Sequence, residues 1–173
     1  AFGDHAVGNA RYGGGSAADA TRGLWAGGYG GGYRTTIDYV TIATTSDTSG
    51  FGDLAQGKYW LSGASDATRA VFCGGAHTYN SDDDSVETIE YVEIQTTGNA
   101  SDFGDLIWMS QNCGTSSNGD RVVHMQSRTS SSYGAVSHDE MCYFAIQTTG
   151  NASDFGDTNA NTNYCGATSG SAS

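Results

Sequence analysis

The chain has no proline, a single lysine and no long apolar run among its 173 residues. Its 7 basic residues are outnumbered by 19 acidic ones, so the formal net charge is −12, and the basic residues form no cluster. A nucleic-acid partner is therefore disfavoured, because contacts to phosphates need clustered cations. No stretch reaches the roughly 18 apolar residues of a membrane span, and none has the pattern of a signal peptide. We accordingly expect neither nucleic acid nor a membrane as a partner.

Cysteine and histidine are too scattered in the sequence to predict a metal centre. The four cysteines form no CxxC pair and no Cys/His group with zinc spacing. They are either small buried apolar residues or disulfide partners. The sequence leaves this choice open for Cys73, Cys113, Cys142 and Cys165. No cofactor is expected.

Glycine is abundant, with 26 residues, and so are serine and threonine, yet aromatic residues still reach 11%. A disordered chain of this polarity would be poor in aromatic and β-branched residues. Here such residues occur in short runs, for example 36–42, which are separated by clusters of Gly, Ser, Asn and Asp. Short runs between turn-forming clusters are typical of many short strands. The sequence therefore predicts a folded, all-β protein.

A segment containing Phe-Gly-Asp recurs along the chain at spacings of 49, 52 and 52 residues. The same twelve residues, IQTTGNASDFGD, occupy 94–105 and 146–157. Self-similarity at a fixed period of about 50 residues is the signature of a repeat architecture. We predict repeats over approximately 5–53, 54–105 and 106–157, with a partial fourth repeat over 158–173.

Each repeat can be divided into four short strands, with a phenylalanine and an arginine that recur at similar spacing as reference points. A small-residue stretch precedes the arginine and predicts an inner strand, since glycine lets neighbouring backbones approach. The apolar run after it predicts a second strand, which ends at a Gly-Gly turn in the first two repeats. An alternating third strand and an outer fourth strand at Phe-Gly-Asp complete the unit. The repeated arginines are Arg22, Arg69 and Arg121.

The phenylalanine of the outer strand is predicted to pack between neighbouring repeats. This prediction places Phe51, Phe103 and Phe155 at equivalent, buried positions. Four short antiparallel strands in about 50 residues are typical of one blade of a β-propeller. The predicted fold is therefore three propeller blades and part of a fourth.

The pattern resembles the kelch repeat, whose blades carry an apolar strand ending in Gly-Gly, an alternating strand and an aromatic-x-x-Leu segment. The first element matches 24–28 and 71–75, the second 37–40 and 89–92, and the third 51–54 and 103–106, with phenylalanine as the aromatic residue. The third repeat departs from the pattern, because Gln126 and Ser127 replace Gly-Gly.

A narrower resemblance is to the kelch-like arrays of virion structural proteins of marine bacteriophages. The residues that carry it are 36–45, 96–106 and 148–157. The resemblance implies an extracellular or virion-associated role in structure or attachment.

Three repeats and part of a fourth are fewer than the roughly four to eight blades of a closed propeller. The missing partners are expected to come from further repeats of the same chain or from other protein subunits. We expect residues near both ends to form strand-type hydrogen bonds outside this segment, or to be frayed.

Two loops carry candidate ligand-binding residues. In the first two repeats, Tyr29, Tyr33 and Tyr79 lie beside glycines or carboxylates, a combination that binds sugars through stacking and hydrogen bonds. The second loop also has oxygen ligands of the kind that calcium takes, but it lacks the glycine and acid placement of an EF-hand loop, so a solvated acidic loop is the favoured explanation. These weak calcium candidates are Asn80, Asp82, Asp84 and Glu87.

No catalytic arrangement is recognisable in the sequence. No Gly-x-Ser-x-Gly motif occurs, and no Ser, His and acid stand at matching positions of the repeat. His124 stands where the other repeats have Trp25 and Phe72, so packing is its expected role. We expect a non-enzymatic structural or binding module of a virion or extracellular assembly, with host surface glycans as a candidate ligand. The alternative is a subunit of a self-assembling extracellular filament.

Overall fold

A computed structural model of the chain describes residues 4, 10–77, 85–126, 128–129, 136–137, 139–160 and 166–167. These residues form strands and turns and no helix, so the prediction of an all-β protein is confirmed. Three four-stranded antiparallel sheets and a two-stranded ribbon contain all the named strands. Within the described ranges, the structure has no helix that is long and apolar enough to cross a membrane.

The strands follow the chain in order across each sheet. The first sheet contains β1 (Gly15–Ala18), β2 (Arg22–Ala26), β3 (Thr36–Thr41) and β4 (Ser49–Asp53). The second contains β5 (Ser62–Ser65), β6 (Arg69–Cys73), β7 (Val86–Glu93) and β8 (Ser101–Ser110). The third begins with β9 (Gly114–Ser117) and β10 (Arg121–Met125), after which β11 (Arg128–Thr129) and β12 (Val136–Ser137) form the ribbon. It ends with β13 (Glu140–Ala145) and β14 (Ser153–Asp157).

The predicted inner, second, third and outer strands are thus present in each of three units, where a unit is one sheet with its connecting loops. The Gly-Gly pair after the second strand turns the chain as expected. Its φ angles are 65° and 101° at Gly27 and Gly28, and 63° and 105° at Gly74 and Gly75. Only glycine adopts these angles without strain. The boundaries of the sequence repeats remain a prediction.

The three sheets pack face to face in chain order, with one apolar core at each interface. On β6, Ala70 and Phe72 contribute to the core shared with the first sheet, whereas Val71 and Cys73 contribute to the core shared with the third. This alternation follows from the two-residue period of a strand. The second sheet is consequently covered on both faces, which explains why its strand β6 is almost entirely apolar and buried.

Phe51 and Phe103 occupy equivalent places in these two cores and are only 4% and 2% exposed. The prediction that they pack between neighbouring units is confirmed. For Phe155 the same prediction is wrong, because its side chain is 48% exposed. Phe51 and Phe103 are each covered by the sheet of the following unit, and no described sheet follows the third one.

The inner strands approach one another closely. A Cβ added to Gly63 of β5 would overlap the backbone of Ser16 in β1, so glycine is required there. The side chain of Ser65 also donates a hydrogen bond of 2.6 Å to the carbonyl oxygen of Ala18. The fourth small-residue stretch continues this arrangement, because Gly166 and Ala167 lie against Gly114 of β9. A groove of about 470 Å³ runs between these segments and is lined by residues of β1, β2, β5 and β9 and by Ala167.

Candidate assembly and ligand-binding surfaces

The repeated arginine joins each unit to the next one. The guanidinium of Arg22 lies 4.7 Å from the ring centroid of Tyr39 and donates a 2.9 Å hydrogen bond to the carbonyl oxygen of Ile94 in the second unit. Arg69 repeats this arrangement with Tyr91, at 4.2 Å, and with Ile146 of the third unit, at 3.1 Å. The sequence identified these arginines as part of the repeat, but their partners in the next unit became visible only in the fold.

The repeated turn between the third and outer strands makes a second contact between units. Asn99 accepts a 3.1 Å hydrogen bond from the backbone N–H of Asp53, and the N–H of Ala100 donates to the carbonyl oxygen of Asp53 at 2.8 Å. In the next interface Asn151 and Ala152 make the same two bonds to Asp105, at 3.1 and 2.7 Å. The turn of each unit therefore binds the Phe-Gly-Asp strand of the unit before it.

A third repeated contact involves a glutamine and an aspartate. Gln95 of the second unit donates to Asp19 of the first at 2.6 Å, and Gln147 of the third donates to Asp66 of the second at 2.5 Å. Burial alone would raise the pKa of Asp19, but hydrogen bonds from Arg22, Thr21 and Gln95 outweigh it and lower the pKa. The same balance lowers the pKa of Asp66. The two carboxylates thus accept hydrogen bonds in their charged form at neutral pH.

Asp4 makes the turn contact at the start of the chain. Its backbone N–H donates to the side chain of Asp47 at 2.9 Å, and its carbonyl oxygen accepts from the N–H of Thr48 at 3.0 Å. Asp4 therefore occupies, on the turn of the first unit, the position that Asp53 and Asp105 occupy on the turns of the second and third.

The outward face of the third sheet carries the same residue types, and no sheet of the described residues covers it. Arg121 is exposed and lies 4.5 Å from the ring centroid of Tyr143, and that ring is 5.9 Å from the ring of Phe155. A groove of about 410 Å³ on this face is lined in part by Arg121, Val123 and Phe155. We call Arg121, Val123, Tyr143 and Phe155 the third-sheet face.

Each of the first two sequence repeats has an ion pair, partly buried in the first and buried in the second, at positions where the third repeat has neutral residues. Arg11 and Asp38 form an ion pair of 2.8 Å in the first unit, and Lys58 and Glu90 form one of 2.6 Å in the second, with side chains only 2% and 7% exposed. At the equivalent positions, the third sequence repeat has the neutral residues Ser110 and Cys142. A buried ion pair needs both partners, because a lone buried charge is strongly destabilising.

His124 is fully buried in the third unit, so the prediction that it packs in the interior is confirmed. Its Nδ1 lies 2.8 Å from the hydroxyl of Thr115 and its Nε2 lies 3.1 Å from the hydroxyl of Ser110. Thr115 in turn contacts the hydroxyl of Ser62 in the second unit. Burial lowers the pKa of His124 from 6.5 to about 4. Although a serine beside a histidine can act as a nucleophile, Ser110 and His124 are both inaccessible to a substrate from solvent.

Three of the cysteines are buried free thiols, namely Cys73, Cys113 and Cys142. This finding confirms, for these three, that they act as small apolar residues. Burial raises the pKa of Cys142 to about 11 and raises that of Cys73 as well, so both thiols remain protonated and unreactive at neutral pH. Cys165 lies outside the described residues.

Five aromatic side chains from the first two units form a cluster beside the inner strands. The ring centroids of Tyr29 and Tyr33 are 5.3 Å apart, and that of Tyr12 is 5.7 Å from Tyr29. Tyr59 lies beneath them, 5.6 Å from Tyr33 and 4.2 Å from Trp60. The structure therefore brings together two of the predicted ligand-binding tyrosines. It adds Tyr12, which is 50% exposed and was not recognised in the sequence.

A signal for Tyr12 was present in the repeat. Tyr12 and Tyr59 both precede an inner strand at the same distance from the repeated arginine. Such equivalence predicts that they share a location, although it does not predict that the rings of the first loop fold onto them.

The acidic loop contributes no described site. Tyr79, Asn80, Asp82 and Asp84 lie outside the described residues, and Glu87 is exposed on β7. Among the residues that the structure describes, no group of three or more His, Cys, Asp or Glu side chains could hold a metal ion. The calcium site remains a prediction.

Comparison of the chain with protein-family models and with curated proteins finds no match. The resemblance to kelch-like arrays therefore rests on the residues of this sequence.

Proposed function

We propose that the chain is a non-enzymatic structural and binding module of a virion or another extracellular assembly. Its units are successive blades of a kelch-like β-propeller, and its partners are further repeats or other protein subunits. The observation that carries this proposal is the recurrence of one set of inter-unit contacts. The arginine, turn and glutamine contacts are the same at both complete interfaces, and Asp4 makes the turn contact once more.

The arrangement of the inner strands supports a radial array. In each unit the strand order runs from an inner edge to an outer edge, and the inner edges of all three units border one groove. Backbone hydrogen bonds also link equivalent residues around this edge. The N–H of Trp60 donates to Gly13 at 2.5 Å, and that of Asn112 donates to Trp60 at 2.9 Å. Neighbouring blades of a propeller meet around a central axis in this way.

The chemistry of the interior supports a non-enzymatic role. Ser110 and His124, which lie within hydrogen-bonding distance of each other, are both buried, and burial holds the thiols of Cys73 and Cys142 protonated. The polar contacts that repeat from unit to unit join neighbouring units, which is what an assembly module requires.

Electron microscopy of the purified protein tests the proposal. Rings or discrete particles whose units surround a central axis would support it. Long uniform fibres would favour the alternative, a self-assembling extracellular filament subunit. Units arranged in a straight stack without a common axis would contradict the propeller arrangement.

Attachment to host surface glycans is a second candidate function, favoured by the aromatic cluster. Tyr12 presents an exposed ring that is supported from below by Tyr29 and Tyr59. Exposed aromatic rings stack on the apolar faces of sugars, and the tyrosine hydroxyls can bond to sugar hydroxyls.

A glycan array probed with the wild-type chain and with Tyr12→Ala tests this function. We expect a bound glycan class that is lost in Tyr12→Ala and kept in Trp108→Ser, which removes a ring of similar exposure outside the cluster. If no glycan binds, or if both variants bind equally, the cluster has only a packing role.

A further inference from the structure

We propose that the third-sheet face binds the first sheet of a second copy of this chain, head to tail. The proposal rests on the proposed function, since it names the partner of the assembly module as the module itself. It commits to a single interface, formed by the third unit of one copy and the first unit of another.

The two interfaces within the chain define what such a contact needs. The leading unit supplies an arginine stacked on a tyrosine, together with the phenylalanine of the outer strand. In the first interface these are Arg22, Tyr39 and Phe51. In the third unit the corresponding trio is Arg121, Tyr143 and Phe155, already arranged with the ring-to-ring distance of 5.9 Å found between Tyr39 and Phe51.

The following unit supplies apolar side chains and one backbone carbonyl. In the first interface these come from Phe72, Val92 and Ile94, and the carbonyl oxygen of Ile94 accepts the bond from the arginine. The first unit has Trp25, Val40 and Ile42 at the equivalent positions of the repeat. Ile42 is 45% exposed, as expected of a side chain that awaits such a neighbour. In the proposed contact Arg121 donates to the carbonyl oxygen of Ile42 in the second copy.

The outer strand of the third unit is also shaped for a partner turn. Gly104 in the equivalent strand of the second unit has a φ of +145°, and the carbonyl of Gly150 lies where its Cβ would be. Gly156 has a φ of +123°, and no atom of the residues that the structure describes lies within 4 Å of its Cβ position. The third unit thus keeps the backbone geometry of the contact, with space where a turn packs in the second unit.

Asp4 competes with the proposed partner. On the turn of the first unit, Asp4 occupies the place that Asp157 of another copy would take, bonded to Asp47 and Thr48. Docking of a second copy therefore requires Asp4 to leave this turn. Weakening the attachment of Asp4 should therefore strengthen self-association. Nonspecific association through another apolar surface would not depend on Asp4.

A head-to-tail contact uses two different surfaces of each copy, so it continues the array instead of ending it. Such a contact produces a closed ring when the rotation between copies closes, and a filament when it does not. Both outcomes leave the interface itself the same.

Sedimentation velocity of the full chain over a range of protein concentrations tests the proposal. We expect reversible self-association, weakened about tenfold or more by Phe155→Asp or by Arg121→Ala, because aromatic and arginine residues dominate interface energies. Trp108→Ser is the matched control, since it removes an exposed ring outside the third-sheet face. Asp4→Pro lacks the N–H that bonds to Asp47 and should associate more tightly than the wild type.

Thermal melting of each variant establishes that it is folded, which is expected because Phe155 and Arg121 are exposed. The proposal is overturned if the wild type and Asp4→Pro both stay monomeric, or if the face variants associate as the wild type does. A monomer whose units still surround a common axis in electron micrographs would remove this interface and leave the proposed function intact.

Discussion

Single residues at equivalent positions of the units have different surroundings, and these surroundings decide how much each residue contributes to the stability of the fold. Arg22 and Arg69 each combine a tyrosine ring with a carbonyl oxygen of the next unit, whereas Arg121 has the ring alone among the described residues. A cation on an aromatic ring contributes about 0.5–1 kcal/mol at an exposed site. A hydrogen bond to a charged group adds about 1.5–3 kcal/mol. The first two arginines are therefore expected to stabilise the chain more than the third.

Phe103 and Phe155 form a matched pair for measuring the energy of an inter-unit core. Phe103→Ala should lower the free energy of unfolding by about 3–5 kcal/mol, because it leaves a cavity between the second and third sheets. Phe155→Ala should cost less than about 1 kcal/mol, since that ring is already exposed. Urea denaturation monitored by tyrosine fluorescence measures both. Equal losses in the two variants would show that Phe103 has no role between the units.

His124 is expected to make the stability of the protein depend on pH. Its pKa is lowered from 6.5 to about 4, so between these values the unfolded chain binds a proton that the folded chain does not. Stability is therefore present above about pH 6.5 and falls as the pH drops toward 4, by about 3 kcal/mol at about 1.4 kcal/mol per pH unit.

The variant His124→Phe places in the third unit the residue that the second unit has at position 72. It removes the titrating group, so the slope of stability between pH 6.5 and 4 should be smaller than in the wild type. Free energies of unfolding measured at several pH values in this window give the comparison. The same slope in both proteins would assign the pH dependence to other groups.

At the scale of secondary-structure elements, the decisive contact is a turn lying on the outer strand of the preceding unit. The asparagine side chain and backbone of the turn form hydrogen bonds with backbone groups of the outer strand. The glycine of that strand has no side chain, so the turn can pack closely against it. Each residue of the repeated Phe-Gly-Asp motif thus has its own structural role. Phenylalanine fills the core, glycine admits the turn, and the aspartate backbone forms the two hydrogen bonds.

Gly104→Ala and Gly156→Ala separate the packing of the turn from backbone strain. Both glycines have a positive φ, so both substitutions strain the backbone, but only the one at Gly104 places a methyl group against a neighbouring carbonyl. We expect Gly104→Ala to be the more destabilising variant by about 1–3 kcal/mol, the usual cost of overpacking. Urea midpoints of the two variants measure the difference. If the losses are equal, the turn does not constrain this glycine.

At the scale of the whole molecule, net charge acts against association. Each copy carries a formal charge of −12, so two copies repel each other at low ionic strength. The Debye length falls from about 30 Å at 0.01 M to about 8 Å at 0.15 M salt. We expect the dissociation constant for self-association to decrease across this range, as measured by sedimentation at several salt concentrations. An increase would mean that ion pairs between the copies outweigh their overall repulsion.

The sequence by itself determined the elements of this protein. Twelve residues repeated at a spacing of 52 and an alternating third-strand pattern identify the four-stranded units, since the strands and turns follow from short-range periodicity. The burial of His124 followed from its position in an apolar strand, whereas only the structure showed that Cys73, Cys113 and Cys142 are buried free thiols.

Only the tertiary structure decided which residues meet. Arg22 bonds to a carbonyl 72 residues away, and Tyr12 joins rings from two later loops. Phe155 repeats a buried residue and is nevertheless exposed, because burial depends on the sheet that covers a side chain. A local pattern specifies which face of a strand is apolar. The contact itself depends on where distant sheets are placed, and the packing of the whole chain sets that placement.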